Sequence, residues 1–423
     1  MTKVIVFALT VSVFLLYLLY TDPQKHNAML YTYLKEIYDL TERKRTIDHL
    51  VDLRAQLDEE IPEKTAENSL LLATWNIRQF NEKRRPESFM YIAEILSRFD
   101  LIAVQEVKDE MAGLLEVMKI LGKNWTFIAT DISSKESGGN NERIAFLYDT
   151  NKVSFKNIAG EIVLPHTELI QGMQFARSPF CVAFQAGWFK FYLTTVHIYY
   201  GDEKDPEKNE RRQKEIKAIG EFLAKRAEKE KTSYIVLGDF NIPAIDDEYM
   251  KALESTGFTI PDAIKNHPTN FGKEVKHYDQ IAFKLKLEEG IRVYDKDNFR
   301  SGAFNFTKSV YKEEDYEEYI QAMKDKTGVE RTGDKAKTYF RRNYRIDQMS
   351  DHMPLWLELK VDFSSQYVTK QKKFALDLEK KIKERAEARA KAKAEAKARA
   401  EAEDRAALEA EVVAKEEAAA KNK

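Results

Sequence analysis

Cysteine is almost absent from this sequence. A single one, Cys181, among 423 residues excludes an intramolecular disulfide and any thiolate metal cluster built within one chain. It lies in the apolar run SPFCVAF and reads as a small core residue rather than a nucleophile. A chain without disulfides suits a reducing compartment. Also missing are a serine-centred nucleophile elbow and a Walker loop, which removes two common classes of catalytic and nucleotide-binding protein. An excess of one charge is missing too. The 68 Lys and Arg stand against 70 Asp and Glu, and the net −2 argues neither for nor against an anionic ligand. With 33% charged residues the chain is too charged for one compact globule, so the excess belongs in appendages.

Long apolar runs are scarce. Residues 4–20, VIVFALTVSVFLLYLLY, fall at the short end of the roughly 17 to 25 residues that a spanning helix needs. They read as an N-terminal transmembrane helix, with a cleaved signal peptide as the rival. The flank YTDPQKHNA lacks a small-x-small cleavage site, which favours an uncleaved, single-pass membrane anchor over residues 1–22. The side of the membrane stays open. Lys25, Lys35, Arg43, Lys44 and Arg45 after the run favour a cytoplasmic remainder, whereas a cleaved export signal would make the protein secreted or periplasmic.

Residues 23–62 form a helical stalk, with Leu30, Leu34, Ile37, Ile47, Leu50, Leu53 and Leu57 at three- and four-residue steps. This stripe could support self-association, but lying on the globular domain needs fewer assumptions. Pro62 marks the boundary. Residues 366–423 are built almost wholly from Ala, Glu, Lys and Arg, the composition of a solvated charged helical tail. That tail is a spacer or a handle for a protein partner, or a helix with no ligand at all.

Between these extensions, residues 63–365 alternate short apolar runs with helical segments and describe one large α+β or α/β domain. Polar residues recur where the runs end. Asn76 follows LLLATW, Glu106 follows LIAVQ, Glu142 precedes RIAFLYD, and His197 ends FYLTTVH. Asp239 and Asn241 end YIVLGDFN, Asp279 opens DQIAF, and Asp351 with His352 opens MPLWLEL. Any one of these is an ordinary turn former or surface charge, but the same relation to seven strands is what a site grafted onto a sheet looks like. Carboxylates and amides without thiolates suit a hard cation such as Mg²⁺. Two histidines near acids suit proton transfer or charge stabilisation. Arg78 and Arg177 can each hold a phosphate oxygen. The set points to metal-assisted hydrolysis of a phosphoester. His26, His49, His166 and His267 receive no role, and His277 stays undecided.

The ordered blocks WNIRQF, QEVKD, NERIAFLYD, TVHIYY, GDFN, YDQI and SDHMP resemble the endonuclease/exonuclease/phosphatase superfamily. NIR and FARSP look like its deoxyribonuclease I branch in particular. The resemblance implies a four-layer αββα sandwich of two mainly antiparallel sheets. It implies that Asn76 and Glu106 bind the metal, Mg²⁺ with Mn²⁺ as a substitute, and that Asp351 supports the metal or phosphate region. Asp239 would orient or deprotonate the attacking water beside Asn241. His197 would pair with Glu142 and His352 with Asp279, while Arg78, Arg177 and Tyr278 would contact a nucleic-acid backbone.

Departures from that branch are Asn140, where a groove-packing aromatic is expected, and Lys108 in place of an arginine. The loop at 160–175 lacks an acidic calcium cluster. The interval 285–345 is long and contains RTGDKAKTYFRRNYR, which reads as a basic, aromatic substrate-binding insertion or as an exposed loop without a ligand. The expectation is a membrane-tethered, Mg²⁺-dependent DNA nuclease of low sequence specificity. RNA, a phospholipid or an inositol phosphate head group are alternative substrates of the same centre, and a non-catalytic membrane-attached interaction module is a third reading.

Overall fold

A computed structural model describes residues 33–202, 204–272, 274–286 and 300–421. The apolar run at 4–20 lies outside them. Among the described residues no helix is long and apolar enough to cross a membrane.

Two mixed sheets carry the fold. The first has the order β10-β11-β1-β2-β4-β3, with β1 Ser69–Phe80, β2 Leu101–Lys108, β3 Trp125–Ala129, β4 Glu142–Asp149, β10 Ser301–Ala303 and β11 Leu355–Lys360. The second has the order β5-β6-β7-β8-β9, with β5 Val153–Glu161, β6 Phe180–Ala186, β7 Phe189–His197, β8 Ser233–Asp239 and β9 Asp279–Lys284. Each sheet is antiparallel except for one parallel pair, β1 with β2 and β7 with β8.

The pleat of β1 explains its nearly unbroken apolar sequence. Leu71, Ala73, Trp75 and Ile77 join a core shared with the helices Pro86–Leu96 and Ala112–Leu121. The alternate residues point the other way, towards the second sheet. Between the sheets, Phe146 of β4 packs on Phe180 and Phe184 of β6 at ring distances of 5.7 and 5.6 Å. A fully buried polar link runs through the same space, where Gln105 Nε2 donates to Thr74 Oγ1 at 3.0 Å and to Thr195 Oγ1 at 2.9 Å. On the second sheet, helix Pro206–Glu230 packs against β8 and helix Glu248–Glu254. This is an α+β sandwich with flanking helices.

The stalk helix lies on the globular domain, the reading that needs fewer assumptions, and the long insertion, expected as a substrate-binding or exposed loop, packs into the same core. The helix Leu40–Glu60 buries Leu50, Leu53 and Leu57 in the first core, so this part of the stripe offered for self-association faces inward, whereas Leu30 lies outside the described residues. The aromatics of the long insertion also face inward. Tyr319 stacks on Phe340 at 5.5 Å, Phe340 stacks on Tyr344 at 6.0 Å, and Tyr311 lies 5.1 Å from Tyr319. Arg45 lies 4.2 Å above the Tyr319 ring, and Gln56 Nε2 donates to Asn305 O at 3.0 Å. Phe340 and Tyr344 are therefore packing residues, not an open stacking platform. Their burial removes far more apolar surface from water than an exposed loop could.

Residues from Phe363 form a separate unit, the helix Ser364–Lys421. Ion pairs four residues apart, such as Lys397 with Glu401 at 3.6 Å and Arg399 with Glu403 at 3.3 Å, support it along its exposed length.

Removing the helix Leu40–Glu60 uncovers three buried leucines, each worth about 1.5 to 3 kcal/mol. A chain beginning at residue 62 should therefore lose on the order of 5 kcal/mol, most of a domain's margin. Urea unfolding of that truncation beside the intact chain checks this, and an unchanged midpoint would refute the packing role.

Candidate active site

One topological fact collects the candidate residues. The parallel strands contribute residues from their C-terminal halves, His197 and Asp239 being the last of β7 and β8, and the antiparallel neighbours contribute residues at or just before their starts, so all come to the same rim. In register, His197 at the end of β7 sits opposite Asp239 at the end of β8, and Asp239 sits opposite Asp279 at the start of β9. Glu142, the first residue of β4, pairs with Lys108, the last of β2. His352 precedes β11, and Trp75 Nε1 of β1 ties down its carbonyl at 2.8 Å.

Local backbone chemistry shapes these ends. Gly238 has φ +134°, and a Cβ there would lie 2.1 Å from Val196 O, so only glycine lets β8 approach β7 so closely. Asn241 adopts φ +54° and donates its backbone N–H to Asp239 Oδ1 at 2.8 Å, the turn that Asp and Asn favour. Its side chain donates to Ile198 O at 2.8 Å. Glu106 has φ +61°, an uncommon conformation for glutamate.

At the centre, Asn76 Nδ2 donates both to Glu106 Oε1 at 3.0 Å and to Asp239 Oδ2 at 2.9 Å. Gln79 N fixes the other Glu106 oxygen at 2.8 Å. With both its protons committed, Asn76 leaves Oδ1 buried and without a hydrogen bond. Such an orphaned acceptor beside a carboxylate suits a hard divalent cation, and Asn76 with Glu106 could hold one. Asp239, Asp279 and His352 also bring one potential ligand atom each within 4.8 Å. That second group is better described as a proton-bearing pair beside an acid, because His352 Nδ1 lies 2.7 Å from Asp279 Oδ2. Burial alone would disfavour the imidazolium, but Asp279 and Asp239 raise His352 well above the usual imidazole range. A charged imidazole does not ligate metal.

The other histidine is held differently. His197 Nδ1 lies 3.3 Å from Glu142 Oε2 without a well-aligned hydrogen bond, and its Nε2 lies 3.6 Å from Asp239 Oδ2. Asp239 Oδ2 is also 3.8 Å from His352 Nε2. Glu142 accepts from Arg177 Nε at 2.7 Å and faces Lys108 Nζ at 3.6 Å. Burial pushes the Glu142 carboxyl up, but His197 and Arg177 outweigh it and hold the group at about 2.

The structure brings Asn76, Glu106, Asp239, Asn241, Glu142, His197, Asp279 and His352 into this one network. Arg78, Asp351 and Tyr278 flank it. Arg78, half-exposed at the rim, pairs with Asp351 at 2.9 Å, and its Nε lies 3.9 Å from Asp347. The Tyr278 ring lies 5.6 Å from that of His352. Arg177 is buried on Glu142, so its Nε acts as a clamp on that acid.

Two further residues order the site. Ser350 Oγ donates to Asn76 O at 2.6 Å and accepts from Arg78 N at 3.2 Å and His352 N at 3.0 Å, tying β1 to the histidine loop. Buried Arg212 donates to Asn241 O at 2.9 Å. Ser350 sits inside the SDHMP block and was open to inspection there. Arg212 lies in the charged helical stretch EKNERRQKE, where nothing distinguishes it from its neighbours.

An α+β sandwich with oxygen donors and histidine–acid pairs at one rim defines a narrow class of protein. Residues 73–287 match the family model described as the Endonuclease/Exonuclease/phosphatase family, and the chain belongs to that family. Its members are typically metal-dependent phosphodiesterases or phosphatases and generally use a divalent metal. The match ends before Asp351 and His352, which β11 brings back beside β1.

Among solved structures, the chain is similar to a humanised TDP2 from D. rerio with 11% identity, covering 70% of this chain and 99% of that one at a TM-score of 0.43. The human nocturnin catalytic domain shows 16% identity, with coverages of 70% and 96% and a TM-score of 0.43. A mannosyl-6-phosphatase from Bacteroides thetaiotaomicron shows 16% identity, with coverages of 69% and 99% and a TM-score of 0.41. No curated protein matches the sequence.

The depressed Glu142 gives a pH dependence of definite sign. Its folded value of about 2 lies below the ordinary 4.5, so its ionisation stabilises the fold fully above about pH 4.5. That contribution is lost as pH falls towards 2. Glu142→Gln should cost up to about 3 kcal/mol at neutral pH, with the difference from wild type shrinking below pH 4.5. Denaturant unfolding of both proteins at pH 7 and pH 3.5 measures it. A gap that stays constant between these two values would show that the Arg177 and His197 contacts do not depress this acid.

Proposed function

We propose that this protein is a membrane-tethered, Mg²⁺-dependent hydrolase that cuts DNA phosphodiester bonds with low sequence specificity. The observation that carries the catalytic part is the Asn76 amide, which is fixed by Glu106 and Asp239 so that its buried Oδ1 is left unpaired beside a carboxylate. In this reading Asn76 and Glu106 hold the metal, and Asp351, which also pairs with Arg78, supports the metal or phosphate region. Bound there, Mg²⁺ or Mn²⁺ would supply Lewis-acid stabilisation of the phosphate oxygens.

The remaining roles follow from the side chains. Asp239 is anchored by Asn76 and by the backbone of Asn241, and it presents Oδ2 between the two histidines. It orients the attacking water and accepts its proton as the water oxygen bonds to phosphorus. Asn241 keeps the turn that aims Asp239. His352, kept charged by Asp279, offers Nε2 to negative charge that grows on phosphate oxygens as the P–O bond to the leaving oxygen breaks, and that oxygen takes up a proton from solvent. Glu142 orients His197 on the opposite flank, itself clamped by Arg177. Arg78 and Tyr278, at the edges, contact the substrate backbone.

The choice of DNA rests on the NIR and FARSP blocks, and the tether rests on residues 4–20. Lys108 and Asn140, which replace a two-bond donor and a groove-packing aromatic, suit weak sequence discrimination.

Nicking of supercoiled plasmid by the full chain tests the reading. Activity should require Mg²⁺, vanish with chelator, fall steeply with salt, and drop at least about a hundredfold in Asp239→Ala and His352→Ala. Circular dichroism confirms that both variants fold. A folded wild type that cleaves a soluble phosphodiester but not plasmid would remove DNA as the substrate. One that cleaves neither would remove the hydrolase reading.

A further inference from the structure

The strand β7 ends at His197, and the chain then runs Ile198, Tyr199, Tyr200, Gly201 before helix Pro206–Glu230 begins. Tyr200 is 49% exposed, and a single exposed tyrosine would ordinarily mean little. Here the residue is held from several sides. Ile198 N donates to Asp239 O at 2.8 Å, and Asn241 Nδ2 donates to Ile198 O, so the loop is pinned to the catalytic turn. The Tyr200 ring meets the Tyr278 ring edge to face, with centroids 6.4 Å apart and planes at 72°. The Arg212 guanidinium lies 5.1 Å from the Tyr200 centroid.

Arg212 is itself fixed. It is buried, donates to Asn241 O, and lies 4.7 Å from the Tyr249 ring. The turn is cut to fit it. Gly201 has φ +79°, and a Cβ there would come within 3.1 Å of Arg212 Nη2 and 2.9 Å of Asn209 Oδ1. An aromatic ring with a cation at hand and an edge-on neighbour has already lost its rotamer freedom, so a flat ligand that meets it pays little further ordering cost. Tyr278 connects it to the reacting groups, since the Tyr278 ring lies 5.6 Å from His352.

We infer that Tyr200, oriented by Arg212 and Tyr278, is a stacking subsite for the nucleobase adjacent to the phosphodiester held at Asp239 and His352. The inference rests on the phosphodiesterase reading for its position, and it adds a contact with the base where that reading supplies contacts with phosphate alone. Stacking tolerates every base, because each has a π-face, so the subsite adds affinity without sequence preference. It also supplies an aromatic contact in a chain that carries Asn140 where a groove-packing ring was expected.

Equilibrium binding in chelator, where no turnover occurs, tests the subsite on the full chain. The probes are a fluorescein-labelled single-stranded octanucleotide and the same strand with abasic sites. Wild type should bind the base-bearing strand roughly tenfold more tightly than the abasic one. Tyr200→Ala should abolish that preference while leaving abasic binding unchanged, and Tyr200→Trp should restore it. Equal affinity of wild type for the two strands, or a preference that survives Tyr200→Ala, would overturn the inference. Turnover in Mg²⁺ keeps the two proposals apart: a base preference in a protein that cleaves no phosphodiester would sink the hydrolase reading and leave the subsite standing.

Discussion

The hydrogen bond from Asn76 to Asp239 joins the two sheets where their parallel strand pairs meet, and the rest of the site is arranged around it. Asn76 belongs to β1 and Asp239 to β8, so the 2.9 Å contact crosses the sandwich. A buried carboxylate is costly unless hydrogen-bonded, and an amide with both protons spent on Glu106 and Asp239 answers that requirement for two acids at once. The contact needs β8 at the right depth. Gly238, pressed against Val196 O, places the strand there, since any side chain would push Asp239 away from the amide. Sheet geometry and acid placement are in this sense one constraint.

Charge pairing extends the same logic outward. The helix Pro206–Glu230 turns Arg211, Arg212 and Glu215 towards the site loops. Arg211 donates to Ser137 O at 2.8 Å and to Glu215 at 3.1 Å, and Glu215 accepts from Ala176 N, just before Arg177, at 3.1 Å. Arg212 holds Asn241. One charged helix face thus fixes the loop that carries Arg177 and the turn that carries Asp239. These cations sit against tyrosine rings, Arg211 at 4.5 Å from Tyr199 and Arg212 at 5.1 Å from Tyr200, which lowers the cost of burying them. Packing and electrostatics are supplied by the same side chains.

The sequence made the rim residues legible because they share a simple signature, an apolar run that stops at an acid, amide or histidine. That signature depends only on strand burial, which is local. The strands β3, β5 and β10 did not announce themselves. β5 lies largely exposed with Asn157 at φ +60°, so its residues are not patterned by a two-sided core. The insertion misled for a related reason. In RTGDKAKTYFRRNYR the basic residues catch the eye, yet Phe340 and Tyr344 are the residues that pack, against Tyr311 and Tyr319 from outside that stretch but earlier in the same insertion. Partners distant in sequence cannot be read from a local window. Arg212 was hidden in the same way, since a buried arginine and a solvated one look alike within a charged helix.

The two histidines show how one acid can serve unequal partners. Asp239 Oδ2 lies at nearly equal distances from both, 3.6 Å from His197 Nε2 and 3.8 Å from His352 Nε2. What differs is the second partner of each ring. Asp279 is buried and accepts a hydrogen bond from His352 Nδ1 at 2.7 Å, and its charge beside the ring favours the imidazolium. Glu142 stands 3.3 Å from His197 and spends its short contact on Arg177 instead. His352 is thereby held tightly on its acid, whereas His197 keeps a looser hold on its own. The asymmetry follows from a single difference in spatial surroundings: Arg177, 35 residues along the chain, competes for Glu142, and no cation competes for Asp279 among the described contacts.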